Sequence, residues 1–257
     1  MRYSTSDKFV LMVDLRAQLS GIIFLLAAAR NGLPTAFEIL LATGVDSKTR
    51  DEFGLTPMSL AAIGGHAHIV RLLLDAGDDS ASSLDPLGRI PLHWTAHSGY
   101  EDVVKILVDN PSPNADISDT LDGRTALSLA AEGGHTASVQ LLLDREDVAA
   151  GRKDKFGLTP LAWASRSGRE DVVKLLVGPT GRQSRLTRHQ WPNAPIMGRK
   201  KLTLCSHVNQ RTPLSWAVES GHLELARLLP QTVSAGLKDG DKYQGTSCGV
   251  GETEPNK

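Results

Sequence analysis

The sequence contains little cysteine, few aromatic residues and no large excess of either charge. Its two cysteines, Cys205 and Cys248, lie far apart and form no CxxC pair, so they indicate neither a disulfide framework nor a zinc site. Scarce, unpaired cysteine is typical of a reducing compartment. We therefore expect a cytoplasmic protein, without a metal or another cofactor.

One segment carries a concentrated excess of positive charge. Residues 179–206 hold six of the 28 lysines and arginines and no acidic residue. The rest of the chain has 22 basic residues against 29 acidic ones, a net charge of −7. Binding of a nucleic acid needs clustered lysines and arginines that contact the phosphates. We therefore expect no nucleic-acid partner for the part of the chain outside residues 179–206.

Long uninterrupted apolar runs are also missing. The most apolar stretch, residues 9–29, is broken by Asp14 and Arg16, each of which costs roughly 2.5 to 3.5 kcal/mol at a bilayer centre. We therefore expect no membrane partner, and we interpret this stretch as a helical cap. The motifs GxxxxGK[ST] and HExxH do not occur either, and we predict no enzyme.

What the sequence does contain is one phrase, repeated. TPMSLAAIGGHAHIVRLLL begins at Thr56, and related phrases begin at Ile90, Thr125, Thr159 and Thr212, which are 34, 35, 34 and 53 residues apart. A degenerate earlier copy, LLAAARNGLPTAFEILLATG, places Gly32 33 residues before Gly65. A fixed period of this size predicts an array of stacked structural units.

Each copy predicts a turn, a short helix, a second turn and a second helix. The initial threonine can cap a helix, and proline suits its first turn. A glycine such as Gly65 ends the first helix by accepting a left-handed conformation. Apolar residues at helical spacing follow, as in VVKLLV from Val172, and signals such as Asp51-Glu-Phe-Gly precede each unit.

The repeated pattern TPLHxAAxxGHxxVVxLLL resembles the ankyrin repeat. The phrases TPLSWAVESGH and GREDVVKLL most resemble ankyrin arrays of filamentous-fungal proteins. The resemblance implies an all-α solenoid of stacked helix-turn-helix units with short β-turn or hairpin connections. Ile90 in place of threonine and Ala126 in place of proline depart from the pattern, which we expect to loosen single units without changing the fold.

The period divides the chain into five parts. We expect an N-terminal segment (1–20), ankyrin repeats (21–178, a degenerate first copy plus four), a basic irregular insertion (179–206), a final partial repeat (207–230) and a disordered tail (231–257). Pro230 is expected to end the last helix. Three interpretations of the insertion stay open: a docking loop, a nuclear-localisation patch that would make the protein nuclear, or a gene-model error.

The recurring tryptophans and histidines have a structural explanation. Trp94, Trp163 and Trp216 share one position of the repeat, which favours packing between units over a ligand site. The histidines His66, His93, His135 and His222 fill two positions of the repeated pattern, which predicts scaffold hydrogen bonds. The other histidines lack metal-ligand spacing, so we assign no metal.

Function is expected on the side chains that the scaffold does not need. Ankyrin proteins bind partners through turn tips and the exposed end of the first helix. In this sequence Leu121 is one of the residues expected at a turn tip. Carried over to this sequence, the resemblance implies partner binding by Phe53, Leu55, Leu87, Arg89, His97, Arg124, Glu132, Lys155, Phe156, Leu158 and Arg166. Five of them are apolar residues expected to be exposed: Phe53, Leu55, Leu87, Phe156 and Leu158.

The function implied is that of a monomeric, non-catalytic adaptor that binds another protein. The alternative is a recognition fragment of a larger enzyme or signalling protein whose catalytic domain lies outside this chain. A terminal repeat normally carries a polar outer face, and the polar, glycine-rich end of the sequence supplies no such repeat, which favours the alternative.

Overall fold

A computed structural model describes residues 20–110, 114–177 and 212–235. The expected N-terminal segment up to residue 19, the basic insertion and the tail beyond residue 235 lie outside these ranges. The described helices are α1 (20–31), α2 (Pro34–Ala42), α3 (Pro57–Gly64), α4 (Ala67–Asp75), α5 (Pro91–Ser98), α6 (Glu101–Asp109), α7 (Ala126–Gly133), α8 (Thr136–Leu143), α9 (Pro160–Arg166), α10 (Glu170–Val177), α11 (Pro213–Glu219) and α12 (Leu223–Ala235).

The helices pair into six units, and unit 1 (α1 and α2) is the degenerate copy. Units 2 to 6 each consist of a first helix, from α3 to α11, and a second helix, from α4 to α12, that packs against it. A short 3-10 turn, Ser80–Ser82, follows α4. Within the described ranges the β-type pairing is one antiparallel bridge between Ser118 and Thr125. The expected all-α repeat solenoid is confirmed.

The first helices begin where the sequence predicts. The side-chain oxygens of Thr56, Thr125, Thr159 and Thr212 each accept a bond from the backbone N–H three residues on. Such a cap stabilises a helix by about 1 kcal/mol. Unit 3 has Ile90 here and no such oxygen, and the Ile90 N–H instead donates to Nδ1 of His93 at 3.3 Å. Its helix nevertheless begins at the same place.

The units stack because each layer of helices continues into the next unit. The first helices α3, α5, α7, α9 and α11 contact one another in order, and the second helices form a parallel series from α4 to α12. Alanines such as Ala61, Ala96 and Ala130 are fully buried, which lets the first helices approach closely. Valines and leucines of the second helices, among them Val104 and Leu142, complete the core.

The stack continues across the insertion. Unit 6 begins 53 residues after unit 5, yet α11 packs on α9 and α12 packs on α10. The ring of His222 lies against Gly168 of unit 5 in the same way that the ring of His66 lies against Gly32 of unit 1. The insertion therefore breaks the period of the sequence without breaking the order of the units.

The last helix corrects one expectation. Helix α12 runs from Leu223 to Ala235 and passes through Pro230, so the final repeat does not end there. Proline lacks the N–H that would bond to the carbonyl of residue 226, so the helix loses one backbone hydrogen bond at this point. The expected tail from residue 231 is therefore helical as far as Ala235. Of the described helices, none is both long enough and apolar enough to cross a bilayer.

Candidate partner-binding face

The turns that precede the first helices share an aspartate that organises the backbone. Oδ1 of Asp51 accepts bonds from the N–H groups of Phe53 (3.0 Å) and Leu55 (2.8 Å), and the Asp51 N–H donates to the Leu55 carbonyl at 2.9 Å. Asp85 and Asp154 form the same arrangement in their own turns. Each turn is a rigid loop with one residue at its tip.

The turn of unit 4 is one residue longer. Oδ1 of Asp119 accepts from three consecutive N–H groups, those of Asp122, Gly123 and Arg124. The extra residue accounts for the 35-residue spacing between Ile90 and Thr125. The same turn is linked to its neighbours by backbone bonds of 2.8 Å, from Thr120 N–H to the Leu87 carbonyl and from Lys155 N–H to the Asp122 carbonyl.

The turns display a row of exposed apolar side chains, one from each of units 2 to 5. We call Phe53, Leu87, Leu121 and Phe156 the tip row; their exposed fractions are 60%, 39%, 53% and 52%. Leu121 was expected at a turn tip but was not among the five apolar residues named as exposed. A repeated exposed apolar side chain is the feature that protein-binding surfaces share.

Two of the residues expected in this row are not exposed. Leu158 is 4% exposed, and Leu55 is half-buried and packs against the core. Both follow the turn glycine and pair with the turn aspartate twice, through their own N–H and through their carbonyl, so they close the turn where it joins the body of the repeat. The expectation that Leu158 is exposed is therefore wrong, and that for Leu55 is only partly right.

Arginines occupy the equivalent position in units 3 and 4, where they meet the tryptophans. The guanidinium carbon of Arg89 lies 4.8 Å from the centroid of the Trp94 ring. Arg124 of unit 4 lies 4.0 Å from the centroid of Trp163 in unit 5, and it is only 9% exposed. Cation–π contacts of this kind contribute about 0.5 to 2 kcal/mol, more when desolvated.

Arg166, at the end of α9, extends this layer into unit 6. Its exposed guanidinium lies 5.4 Å from the centroid of Trp163 and 5.1 Å from that of Trp216. Trp163 is held by a bond from Nε1 to Oδ2 of Asp154 at 2.8 Å. Both tryptophans therefore contact an arginine of the preceding unit, as packing between units requires, but each remains half-buried rather than enclosed.

Acidic side chains neutralise two of the arginines. Glu132, on α7, receives a bond of 2.5 Å from Arg124, and Asp119 lies 3.9 Å from Nε of Arg89. Of the remaining expected residues, His97 and Lys155 are exposed. The ammonium group of Lys155 donates to the carbonyls of Thr120 and Leu121, so its side chain lies along the neighbouring turn.

A small hollow lies between units 3 and 4 on this face. Its volume is about 230 Å³, below the roughly 300 to 1,000 Å³ of sites for drug-sized ligands. The hollow is lined by Arg89, His93, Trp94, His97, Asp119, Asp122, Arg124 and Leu129.

His93, at the floor of this hollow, is fully buried. Burial lowers the pKa of His93, because the imidazolium would lose its hydration, while the carboxylate of Asp119 and nearby backbone groups of Arg124 and Ile117 oppose the shift. The neutral ring accepts the Ile90 N–H at Nδ1. This confirms a scaffold role for His93.

The histidines after the turn glycines also act as scaffold residues. The ring nitrogens Nε2 of His66 and His135 lie 3.0 Å from the carbonyl oxygens of Arg30 and His97 in the preceding units. In unit 5 the same position holds Arg169, whose Nε donates to the Glu132 carbonyl at 3.0 Å. Across the described ranges, no three His, Cys, Asp or Glu side chains form a group that could hold a metal ion.

Comparison with known proteins agrees with the geometry. A family model described as ankyrin repeats (3 copies) matches residues 25–120 and 111–186, and a model described as ankyrin repeat matches residues 209–229. The chain is 31% identical over 153 residues to the ankyrin repeat and KH domain-containing protein mask-1 of Caenorhabditis elegans. That alignment covers 58% of this chain and 6% of the relative.

The resemblance to filamentous-fungal arrays stays a prediction, since this relative comes from a nematode. The family itself is established by matches over most of the chain, by the glycine-terminated helix pairs and by the aspartate-organised turns. Ankyrin repeats indicate a protein–protein interaction module. The chain belongs to the ankyrin-repeat family.

Proposed function

We propose that this chain is a non-catalytic adaptor that binds a partner protein through the tip row and the adjoining ends of the first helices. The observation that carries the proposal is the tip row: four apolar side chains at equivalent places in four successive units, with exposed fractions between 39% and 60%. The aspartate bonds hold each turn in a fixed shape, so the row is preorganised and little entropy is lost on binding.

The layer behind the tip row adds polar groups of fixed position. His97 and Arg166 lie exposed at or near the ends of α5 and α9, and Glu132 lies half-buried on α7 next to Arg124. A partner that covers the tips would meet these groups and the small hollow between units 3 and 4. Apolar anchors surrounded by oriented polar groups are typical of interfaces whose affinity depends on a few residues.

Leu55, Arg124 and Leu158 contribute differently in this proposal. Leu55 and Leu158 anchor their turns in the repeat body, and Arg124 orients Trp163 and Glu132. We infer that these three residues support the face, while Phe53, Leu87, Leu121, Phe156, Lys155 and Arg166 meet the partner. The adaptor is proposed to act as a monomer in the cytoplasm or, if the basic segment is a localisation patch, in the nucleus.

A second candidate is that the chain is the recognition part of a larger enzyme or signalling protein. The observation that favours it is the length of the relative, of which the alignment covers only 6%. Sequencing full-length transcripts across both ends of the reading frame separates the two candidates. A transcript that continues into a catalytic domain would support the second, and one that ends at this chain would support the first.

The tip row is tested by affinity capture from a lysate of the source cells. A variant with serine at Phe53, Leu87, Leu121 and Phe156 should lose the captured partner, because the apolar contact area is removed. The matched control places serine at Ile23, Phe24, Ile39 and Leu223, four apolar residues of helices α1, α2 and α12 that are not in the tip row and have exposed fractions of 60–63%. Capture that is lost equally in both variants, or in neither, would contradict the proposed face.

A further inference from the structure

At its unit 5 end, the tip row lies beside exposed, positively charged side chains. Next to Phe53, at one end, stands the exposed Glu52; next to Phe156, at the other end, stand the exposed Lys155 and, on α9, Arg166. At unit 2 the exposed Arg50 lies two residues before Glu52, so that end carries both charges, whereas the unit 5 end is basic. A segment that lies along the row would meet an excess of positive charge at the unit 5 end.

Arg166 differs from the other arginines of the face in having no carboxylate partner. Arg124 is paired with Glu132 and Arg89 lies near Asp119, whereas no ion pair within the described ranges joins Arg166 to a carboxylate, and its guanidinium lies near the rings of Trp163 and Trp216. Its charge remains uncompensated there, and its side chain is exposed.

The two indole rings hold the Arg166 guanidinium in a fixed position. Trp163 is itself fixed by Asp154 on one side and by Arg124 on the other, and Trp216 is contributed by unit 6. A planar guanidinium presents paired N–H donors that match both oxygens of a carboxylate. Because the rings restrict the side chain, less rotamer entropy is lost when a carboxylate binds.

We propose that the partner carries an acidic side chain, Asp or Glu, that binds Arg166 at the Phe156 end of the tip row, while apolar side chains of the same segment cover the tips. This inference rests on the proposed function and adds the chemistry and the orientation of the partner. An acidic polymer such as a nucleic acid fits less well, because Glu52 and Asp122 lie along the same row and would repel its phosphates.

The test uses a phage-displayed library of random linear peptides as the probe. Wild type, Arg166→Glu and Lys105→Glu are panned in parallel. Lys105 is exposed on α6, in the layer of second helices, and gives the same change of charge away from the row. Circular dichroism and urea unfolding establish that each variant is folded; Arg166→Gln, which keeps most of the side chain, replaces Arg166→Glu if the latter is not.

Wild type and Lys105→Glu should enrich peptides that combine apolar residues with Asp or Glu. Arg166→Glu should lose the acidic residues and gain Lys or Arg. A selected acidic peptide, measured by fluorescence anisotropy, should bind Arg166→Gln about tenfold more weakly than wild type, as expected for a lost charge-assisted hydrogen bond. Its affinity for wild type should also decrease more steeply with salt.

The outcomes distinguish this inference from the function on which it rests. Peptides that are enriched without acidic residues, or whose acidic residues persist with Arg166→Glu, would overturn the inference and leave the tip row standing. The variant with serine at Phe53, Leu87, Leu121 and Phe156 is panned beside them. If it enriches the same peptides as wild type, or if no peptide is enriched on any variant, both the inference and the proposed function are overturned.

Discussion

The guanidinium of Arg124 lies over the indole of Trp163, 4.0 Å from the ring centroid, and so joins unit 4 to unit 5. The opposite charge of Glu132 holds the arginine from one side, and Asp154 holds the indole through Nε1. One residue pair thus connects the rigid turns, the contact between repeats and the face proposed to bind a partner.

Replacement of Trp163 by alanine should lower the free energy of unfolding. Burying a tryptophan fully is worth about 3 to 5 kcal/mol, and because Trp163 is half-buried we expect a loss of about 2 to 4 kcal/mol. Urea unfolding followed by far-UV circular dichroism measures it. The destabilisation should extend to the neighbouring units, because each repeat is stabilised by the interfaces with its neighbours.

Trp163→Phe is the control that keeps an aromatic ring and removes the N–H donor. It should cost about 1 to 2 kcal/mol, because the buried carboxylate of Asp154 loses one hydrogen bond. If Trp163→Ala cost no more than Trp163→Phe, the ring would contribute nothing through its contacts with Arg124 and Arg166, and the layer described above would have no role in stability.

The turn aspartates should be among the most sensitive polar residues of the chain. Asp154 is buried and accepts three hydrogen bonds, from two backbone N–H groups and from Trp163. Asp154→Ala leaves those donors unpaired, and we expect a loss of about 2 to 4 kcal/mol in urea unfolding. Asp51→Ala should cost less, because Asp51 is less buried than Asp154. An equal loss at both positions would contradict this account.

Two glycines with the same backbone φ angle allow two contributions to stability to be measured separately. These are the backbone strain of a left-handed residue and the steric contact between neighbouring repeats. Gly99 and Gly77 both have φ of +76°, but a Cβ at Gly99 would lie 2.2 Å from Nδ1 of His135, whereas a Cβ at Gly77 meets nothing within 4 Å. Gly77→Ala should cost about 1 to 2 kcal/mol, the usual penalty for a left-handed residue with a side chain.

Gly99→Ala should cost clearly more than Gly77→Ala, because the His135 ring must move and its contact with the His97 carbonyl is lost. Thermal unfolding of the two variants makes the comparison. The double variant Gly99→Ala with His135→Ala should recover part of the difference, since the clash disappears. No recovery would indicate that the cost lies in the backbone alone.

Much of the fold follows from the sequence because each local signal agrees with the period. Thr56, Pro57 and Gly65 predict where α3 begins and ends, and the same residue types recur in the later units. The position of unit 6 did not follow, since the 53-residue spacing gives no reason for α11 to pack directly on α9. That packing depends on contacts between units, such as His222 against Gly168, that no local pattern displays.

The candidate face was predictable in outline and wrong in detail for the same reason. Phe53, Leu87 and Phe156 were found from their place beside the turn glycine. Leu158 was expected to be exposed because it is apolar and lies in a turn, but it closes that turn against the repeat body by pairing with Asp154 through both its N–H and its carbonyl. Pairing of Arg124 with Trp163 joins two units, so no pattern within one repeat predicts it.

His93 should make the stability of the chain depend on pH. Burial lowers its pKa below the ordinary value of 6.5, so below that pH the unfolded chain binds a proton that the folded chain excludes. The stability that the neutral ring contributes is therefore fully present above about pH 6.5. It is lost as the pH falls toward the lower pKa of the folded state. Urea unfolding between about pH 7.5 and pH 5.5 should show the midpoint decrease.

The variant His93→Ser isolates this effect, because serine is the residue that Ser59, Ser128 and Ser215 supply at the same position in units 2, 4 and 6. It should be less stable than wild type near neutral pH, since the buried ring leaves a cavity, yet lose less stability on acidification. Asp147, whose pKa is lowered by Arg145, acts only below its ordinary value of 3.8 and so lies outside this range. If wild type and His93→Ser lost the same stability between the two pH values, the buried ring would not be the group that binds the proton on unfolding.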